Sequence, residues 1–200
     1  MENRTIEKRQ TMGAGWLLIA TGFLTITLMS QHPSGGDGGV MISLVHGGLQ
    51  VVMLVQLAAF LMVGRTFGWS VPLVIGTLFF AAGQAAGIGA ATINGFVVPT
   101  LNAYPAGAIG SDIGRFAWEA NQALARLGVV AVGIGFALWS VCLWQARQRR
   151  LAVAGWIAGL VPALLLASDH IGMDLHGALF AYLMQALWLM ALGWSVIRRA

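Results

Sequence analysis

A chain of 200 residues that is 58% hydrophobic and only 9% charged is not an ordinary water-soluble domain, which carries about 25% charged residues. Its net charge of +4 does not point to nucleic acid either, because the basic residues sit in short clusters between apolar stretches, as topology signals do. A span takes roughly 20 apolar residues, so there is room for six, and residues 1–200 read as a single polytopic unit with no soluble domain.

In chain order, Arg4, Lys8 and Arg9 precede an apolar run over 13–30. This resembles the opening of a signal peptide, but Gln31-His32-Pro33 offers no small-x-small cleavage site, so the run is expected to stay as the first span. A Pro/Gly-rich loop, Pro33 to Gly39, leads into a second span over 40–64 that stops at Arg65,. The third span covers 70–98 and is expected to end before Pro99,. A long connection through Pro105 and Asp112 then leads to spans over 117–145, 151–168 and 172–197. The expectation is an all-α membrane protein, a bundle of about six transmembrane helices.

Orientation follows from the cations. With the N-terminus inside, Arg4, Lys8, Arg9, Arg65, Arg147, Arg149, Arg150, Arg198 and Arg199 all fall on the cytoplasmic side, nine of the eleven basic residues,. Trp69, Trp144, Trp156 and Trp194 lie at the same boundaries, as an interfacial aromatic belt does. Both termini are therefore expected in the cytoplasm, in a cell membrane of the bacterial inner-membrane kind. The lipid bilayer is the first partner, with other membrane subunits as candidates and no nucleic acid.

Small residues recur every fourth position at Gly83, Gly87, Ala91 and Gly95, and again at Gly155 and Gly159. Such stripes let helix backbones approach closely where no hydrophobic effect drives association. Pro162 is expected to kink the fifth span, since it lacks a backbone donor and crowds the preceding turn. The lone Cys142 supports neither a disulfide nor a thiol-based metal cage,.

The chemistry-bearing residues gather at the end opposite the cations. His32, His46, His170 and His176 all map there, as do Asp37, Asp112, Glu119, Asp169 and Asp174. Ionisable groups within spans are expensive and suggest function by default. His46 and His176 each begin a descent into the membrane, each beside a glycine, in the similar segments Val45-His46-Gly47-Gly48-Leu49 and Leu175-His176-Gly177-Ala178-Leu179. Imidazoles from two helices suit a copper or zinc ion, or the two axial positions of haem b. The expectation is that the second and sixth spans are neighbours, with His46 and His176 converging on one pocket. His170, Asp169 and Asp174 would support them as ligands or orienting groups, and Gln50 lies one turn below His46.

A second feature is the fourth span's polar face, Glu119, Gln122 and Arg126, spaced three and four residues apart,. An arginine there needs an acid, and Glu119 is the expected partner within a buried pair; the alternative is a clamp for an anionic ligand. No Walker loop, GxSxG elbow or HExxH is present,. Three functions therefore stand at this level. The first is a metal- or haem-binding protein of an electron-transfer or oxidoreductase system. The others are an accessory subunit of a larger membrane complex, and a small-solute or lipid transporter using the Arg/Glu pair.

Overall fold

In the computed structural model, residues 2–32, 39–105 and 110–200 are described, with side chains from residue 5 onward, and every regular element among them is a helix. In chain order these are α1 (Glu2–Ser30), α2 (Gly39–Phe67), α3 (Val71–Thr92), a π-helical turn (Ile93–Val97), α4 (Val98–Asn102), α5 (Ser111–Gln145), α6 (Arg149–Ala167) and α7 (Leu175–Ile197). The third apolar stretch, Val71–Asn102, runs unbroken through the π turn, and six helices in all are long and apolar enough to cross a membrane.

Two boundaries differ from the sequence expectation for a physical reason. Pro99 does not end the third stretch, because the π turn carries the Val98 N–H back to the carbonyl of Ile93. Pro99 then sits in the first turn of α4, where its missing N–H costs little. The fifth helix begins at Ser111 rather than 117, with exposed, amphipathic turns before the apolar stretch. The loop 33–38 lies outside the described residues. α6 continues through Pro162 as one helix, with that ring buried.

Each helix packs against its neighbours in a closed ring, α1–α2–α3–α5–α6–α7 and back to α1. Glycines make the close seams. Gly83 lies against Val132 and the Gly128 carbonyl, and Gly135 against the Gly76 carbonyl, joining α3 to α5. Gly133 meets Gly159 between α5 and α6, while Gly15 meets Gly193 between α1 and α7. The stripe read from the sequence thus serves packing within one chain, and toward the histidine end it turns to α2, with Gly87 against Met53 and Gly95 against His46. Outward faces are apolar, with Phe23, Val51, Leu78, Leu127 and Leu164 all exposed.

The even number of antiparallel helices sets two distinct ends. One carries Arg65, Arg147, Arg149, Arg150, Arg198 and Arg199 and is called the arginine end; the other carries His32, His46, His170 and His176. Toward the arginine end the ring is plugged by stacked aromatics from four helices. Phe60 stacks on Phe80 at 4.1 Å and on Trp139 at 3.9 Å, and Phe136 meets Trp188 at 4.1 Å. The indoles are satisfied, Trp139 Nε1 donating to Thr77 Oγ1 and Trp188 Nε1 to the Leu151 carbonyl. Above the plug lies a layer of amides. Gln84 Nε2 donates to Gln56 Oε1 at 3.3 Å, Gln56 Nε2 to Thr25 Oγ1 at 3.1 Å, and Thr25 to the Thr21 carbonyl. Gln185 donates to the Val129 carbonyl from the other side. This layer encloses a gap of about 30 Å³, room for a single water.

Candidate functional site

Above the amide layer the ring widens into a cavity of about 630 Å³, within the size range of pockets for small molecules and cofactors. Five of the six membrane-length helices contribute to it; α6 does not. Leu49, Met53, Gly87 and Tyr182 border both the cavity and the gap below, so the amide layer is its floor. Half-exposed Trp118 and Asn102 stand at its mouth.

One wall is polar because three helices meet there. α2 presents His46, which is buried, and the last residue described after α1, His32, brings its Nε2 to 3.2 Å from His46 Nε2. The π turn presents Asn94, whose Nδ2 lies 3.1 Å from the same His46 nitrogen. His46 Nδ1 lies 2.8 Å from the Ile42 carbonyl. A carbonyl can only accept, so Nδ1 carries the proton and Nε2 offers a lone pair to the cavity. That single lone pair faces two neighbours, His32 and Asn94. The π turn is what aims Asn94 inward, and it is held by Ser43 Oγ, which donates to the Gly95 carbonyl at 2.8 Å. Such π turns recur at functional positions in helices.

The facing wall comes from α5 and α7. Asn121 is 7% exposed and lines the cavity, and its amide has no hydrogen-bond partner among the described residues. The Tyr182 hydroxyl, also lining the cavity, likewise has none among them. Beside them Gln122 donates to the Met173 carbonyl at 3.4 Å. The fully buried side-chain polar atoms without a partner among the described residues are Ser140 Oγ and Gln148 Nε2; the Asn121 amide is not one of them and opens onto the cavity, where it can meet an occupant or water. The remaining lining is chiefly apolar, including Met29, Leu49, Met53, Ala90 and Ala178.

The residues singled out from the sequence fare unequally. His46 and Gln122 line the cavity, as does Asp174, whose Oδ1 accepts from the Gly177 N–H at 2.8 Å and so caps α7. The structure does not bring His176 to His46. His176 is exposed and does not line the cavity, and α1 stands between α2 and α7 in the ring. The rotation of α7 turns Ala178 and Tyr182 inward instead, which similar depth in the sequence does not determine. His170 is exposed and bonds to Ser168 of its own turn. Gln50 donates to Thr92 Oγ1 outside the cavity.

Arg126 is corrected as well. It pairs with Asp169 at 3.0 Å, not with Glu119, and both partners are substantially exposed, at 45% and 76%. Asp169 comes within reach because it takes a left-handed backbone conformation, φ +54°, just after α6. Glu119 is exposed. A buried Arg/Glu pair is therefore absent from the described residues, and neither Arg126 nor Glu119 lines the cavity.

Three cavity residues were not singled out from the sequence: His32 as a partner of His46, Asn121 and Tyr182. Asn121 had a readable signal, since Ala117, Asn121, Ala125 and Gly128 form a small-residue stripe at helical spacing. Among the described residues no three of His, Cys, Asp and Glu cluster in a way that would hold a metal ion. The chain matches no protein-family model, no curated protein and no solved structure.

Proposed function

We propose that this chain is a membrane protein with both termini cytoplasmic, which binds an uncharged, largely apolar molecule with a carbonyl or hydroxyl head in the cavity at its extracytoplasmic end. Quinones and prenols belong to this class, and a quinone would fit a role in electron transfer. The observation that carries the reading is the Asn121 amide, which has no partner among the described residues and opens onto a mainly apolar cavity. The neutral amide and phenol donors suit a carbonyl better than an anion, because no arginine or lysine among the described residues lines the space.

Trp118 at the mouth supplies a reporter. Titrating purified protein in detergent with ubiquinone-1 should quench its fluorescence saturably, and Trp118→Phe should remove that component. Asn121→Leu should weaken binding by about five- to thirty-fold, the equivalent of one lost hydrogen bond to a buried group, and His46→Ala should weaken it similarly by removing the Nε2 acceptor that holds the Asn94 amide in place,. Quenching that never saturates, or affinity unchanged in both variants, would exclude this ligand class. Topology is tested separately. Single cysteines at residues 36, 108 and 171, in a Cys142→Ser background, should react with an impermeant maleimide from outside, and tags on the termini should not.

A second reading rests on a different observation, the His32–His46 spacing. Two imidazole nitrogens bound to one ion at 2.0–2.1 Å in tetrahedral geometry lie roughly 3.3 Å apart. The backbone carbonyl on His46 Nδ1 is the usual orienting partner of a ligating histidine. Copper or zinc therefore suits this pair, with the remaining positions filled by solvent or cavity groups. Haem b does not, since axial nitrogens on opposite sides of one iron stand about 4 Å apart with the ring between them. Metal analysis after dialysis against Zn²⁺, with His32→Ala as control, tests it: stoichiometric zinc lost in the variant supports the ion, and equal zinc in both rejects it.

A further inference from the structure

The arginine end carries a second site, unrelated to the cavity and its ligand. A groove of about 640 Å³ runs between α6 and α7. Its rim holds Arg150 from the first turn of α6 and Arg198 and Arg199 from the end of α7, all exposed. Its wall is the apolar part of the two helices, with Leu151, Ala154 and Ala191. Half-exposed Trp194 and Ser195 lie between rim and wall.

Among the described residues none of these three guanidinium groups has a carboxylate partner; the ion pair present there, Arg126–Asp169, is at the other end. Of the described acids, Asp112, Glu119, Asp169 and Asp174 belong to the histidine end; Glu7 of α1 lies at the arginine end but forms no ion pair with these arginines. By contrast Arg149, next to Arg150, lies over the Trp144 ring at 5.2 Å. Three like charges brought to one groove repel one another unless an anion joins them, and a guanidinium is shaped to grip phosphate oxygens two at a time.

We propose that this groove binds one anionic phospholipid, its phosphate held by Arg150, Arg198 and Arg199 and its acyl chains lying against Leu151, Ala154 and Ala191. The lipid is preferred over free phosphate because the groove has two parts. The cationic rim answers a phosphate, and the apolar wall below it, opened by the two alanines, answers chains that a free anion lacks. Basic pockets between membrane helices on the cytoplasmic side take such headgroups, and Trp194 sits where an interfacial tryptophan does. The proposal rests on the membrane reading but not on the identity of the cavity ligand.

Native mass spectrometry of the detergent-solubilised protein tests it, with phosphatidylglycerol, phosphatidylcholine and inorganic phosphate as probes. Phosphatidylglycerol should add one tightly held molecule and phosphatidylcholine should not. The triple variant Arg150→Gln, Arg198→Gln, Arg199→Gln should weaken that binding by roughly a hundredfold, from the contribution of each cation near a phosphate. The control Lys8→Gln, Arg9→Gln, Arg65→Gln removes the same charge from the same end and should change it by less than about threefold. Ala191→Trp, which fills the wall and spares the rim, should also lower lipid binding. Equal loss in the control would reduce the effect to overall charge and overturn the site. Displacement of the lipid by millimolar phosphate, or an unchanged affinity in Ala191→Trp, would make it a free-anion site and overturn the lipid. Far-ultraviolet circular dichroism and a thermal midpoint like the parent's show that the triple variant is folded, whatever the cavity binds.

Discussion

Replacing Asn121 by leucine should stabilise the empty protein and weaken it as a binder, a combination that few substitutions produce. Asn121 is 7% exposed and faces a cavity of about 630 Å³ with no described partner for its amide. Leucine has a similar size and no polar atom. The substitution therefore removes a hydrogen-bonding demand that cavity water meets only in part; the value for a fully dry group, about 1–3 kcal/mol, is an upper bound, because the amide is not among the fully buried unpartnered atoms. Because the cavity admits some water, the lower end applies, about 1 kcal/mol. For a chain of this length that corresponds to a rise in Tm of roughly 2–4 °C. Thermal unfolding of delipidated protein in detergent measures it, and ubiquinone-1 titration of the same sample measures the loss of affinity. A fall in Tm of several degrees would refute the reasoning, because it would show that the amide holds the fold together rather than waiting for a ligand.

Two further predictions concern the fold around the site. A double-mutant cycle on Arg126→Ala and Asp169→Ala should give a coupling below about 1 kcal/mol, as exposed pairs do; a coupling above about 2 kcal/mol would mean the pair is desolvated in the membrane interface. Gly83→Val should destabilise strongly, by about 2 kcal/mol or more, since a Cβ there already meets Val132 and the Gly128 carbonyl at 2.7 and 2.8 Å. Unchanged unfolding of Gly83→Val would show that the α3–α5 seam is looser than described.

The six apolar helices and the placement of their cations were legible because both follow from local composition, and a helix either has 20 apolar residues or it does not. Small-residue seams were legible as stripes, though not which helices they join. The site was legible only in part. Depth along a helix can be read from residue number, and this placed His46 and His176 at the same end. Rotation cannot, because it is set by the glycine contacts of the whole ring. Those contacts turn Tyr182 inward and leave His176 exposed. Arg126 found Asp169 rather than Glu119 because a left-handed turn after α6 brings the acid across from another helix, a contact between residues 43 positions apart. Pro99 misled for the opposite reason. Proline rules assume an α-helical ladder, and the π turn before it had already changed the ladder.

That π turn supplies the last prediction. Gly95 sits at its centre, with its Cα against the His46 side chain, so that an added Cβ would collide with His46 Cβ and lie 3.0 Å from its Cγ. Neither atom is the free end of a flexible chain, so the imidazole itself must move. Ser43 holds the same turn through the Gly95 carbonyl, which leaves the backbone little freedom to give way instead. Gly95→Ala should therefore displace His46 Nε2 from His32 and Asn94, with the aromatic plug and the α3–α5 seam untouched. The expected result is an affinity for ubiquinone-1 reduced by about tenfold, close to that of His46→Ala, with a smaller loss of stability than Gly83→Val. Gly110→Ala is the matched control, because nothing lies within 4 Å of a Cβ there and its φ of −61° suits alanine. In a cycle with His46→Ala, the second substitution should add almost nothing once the first has been made. Full additivity would show that Gly95 acts on the cavity by another route, and that the close contact with His46 is not what positions the imidazole.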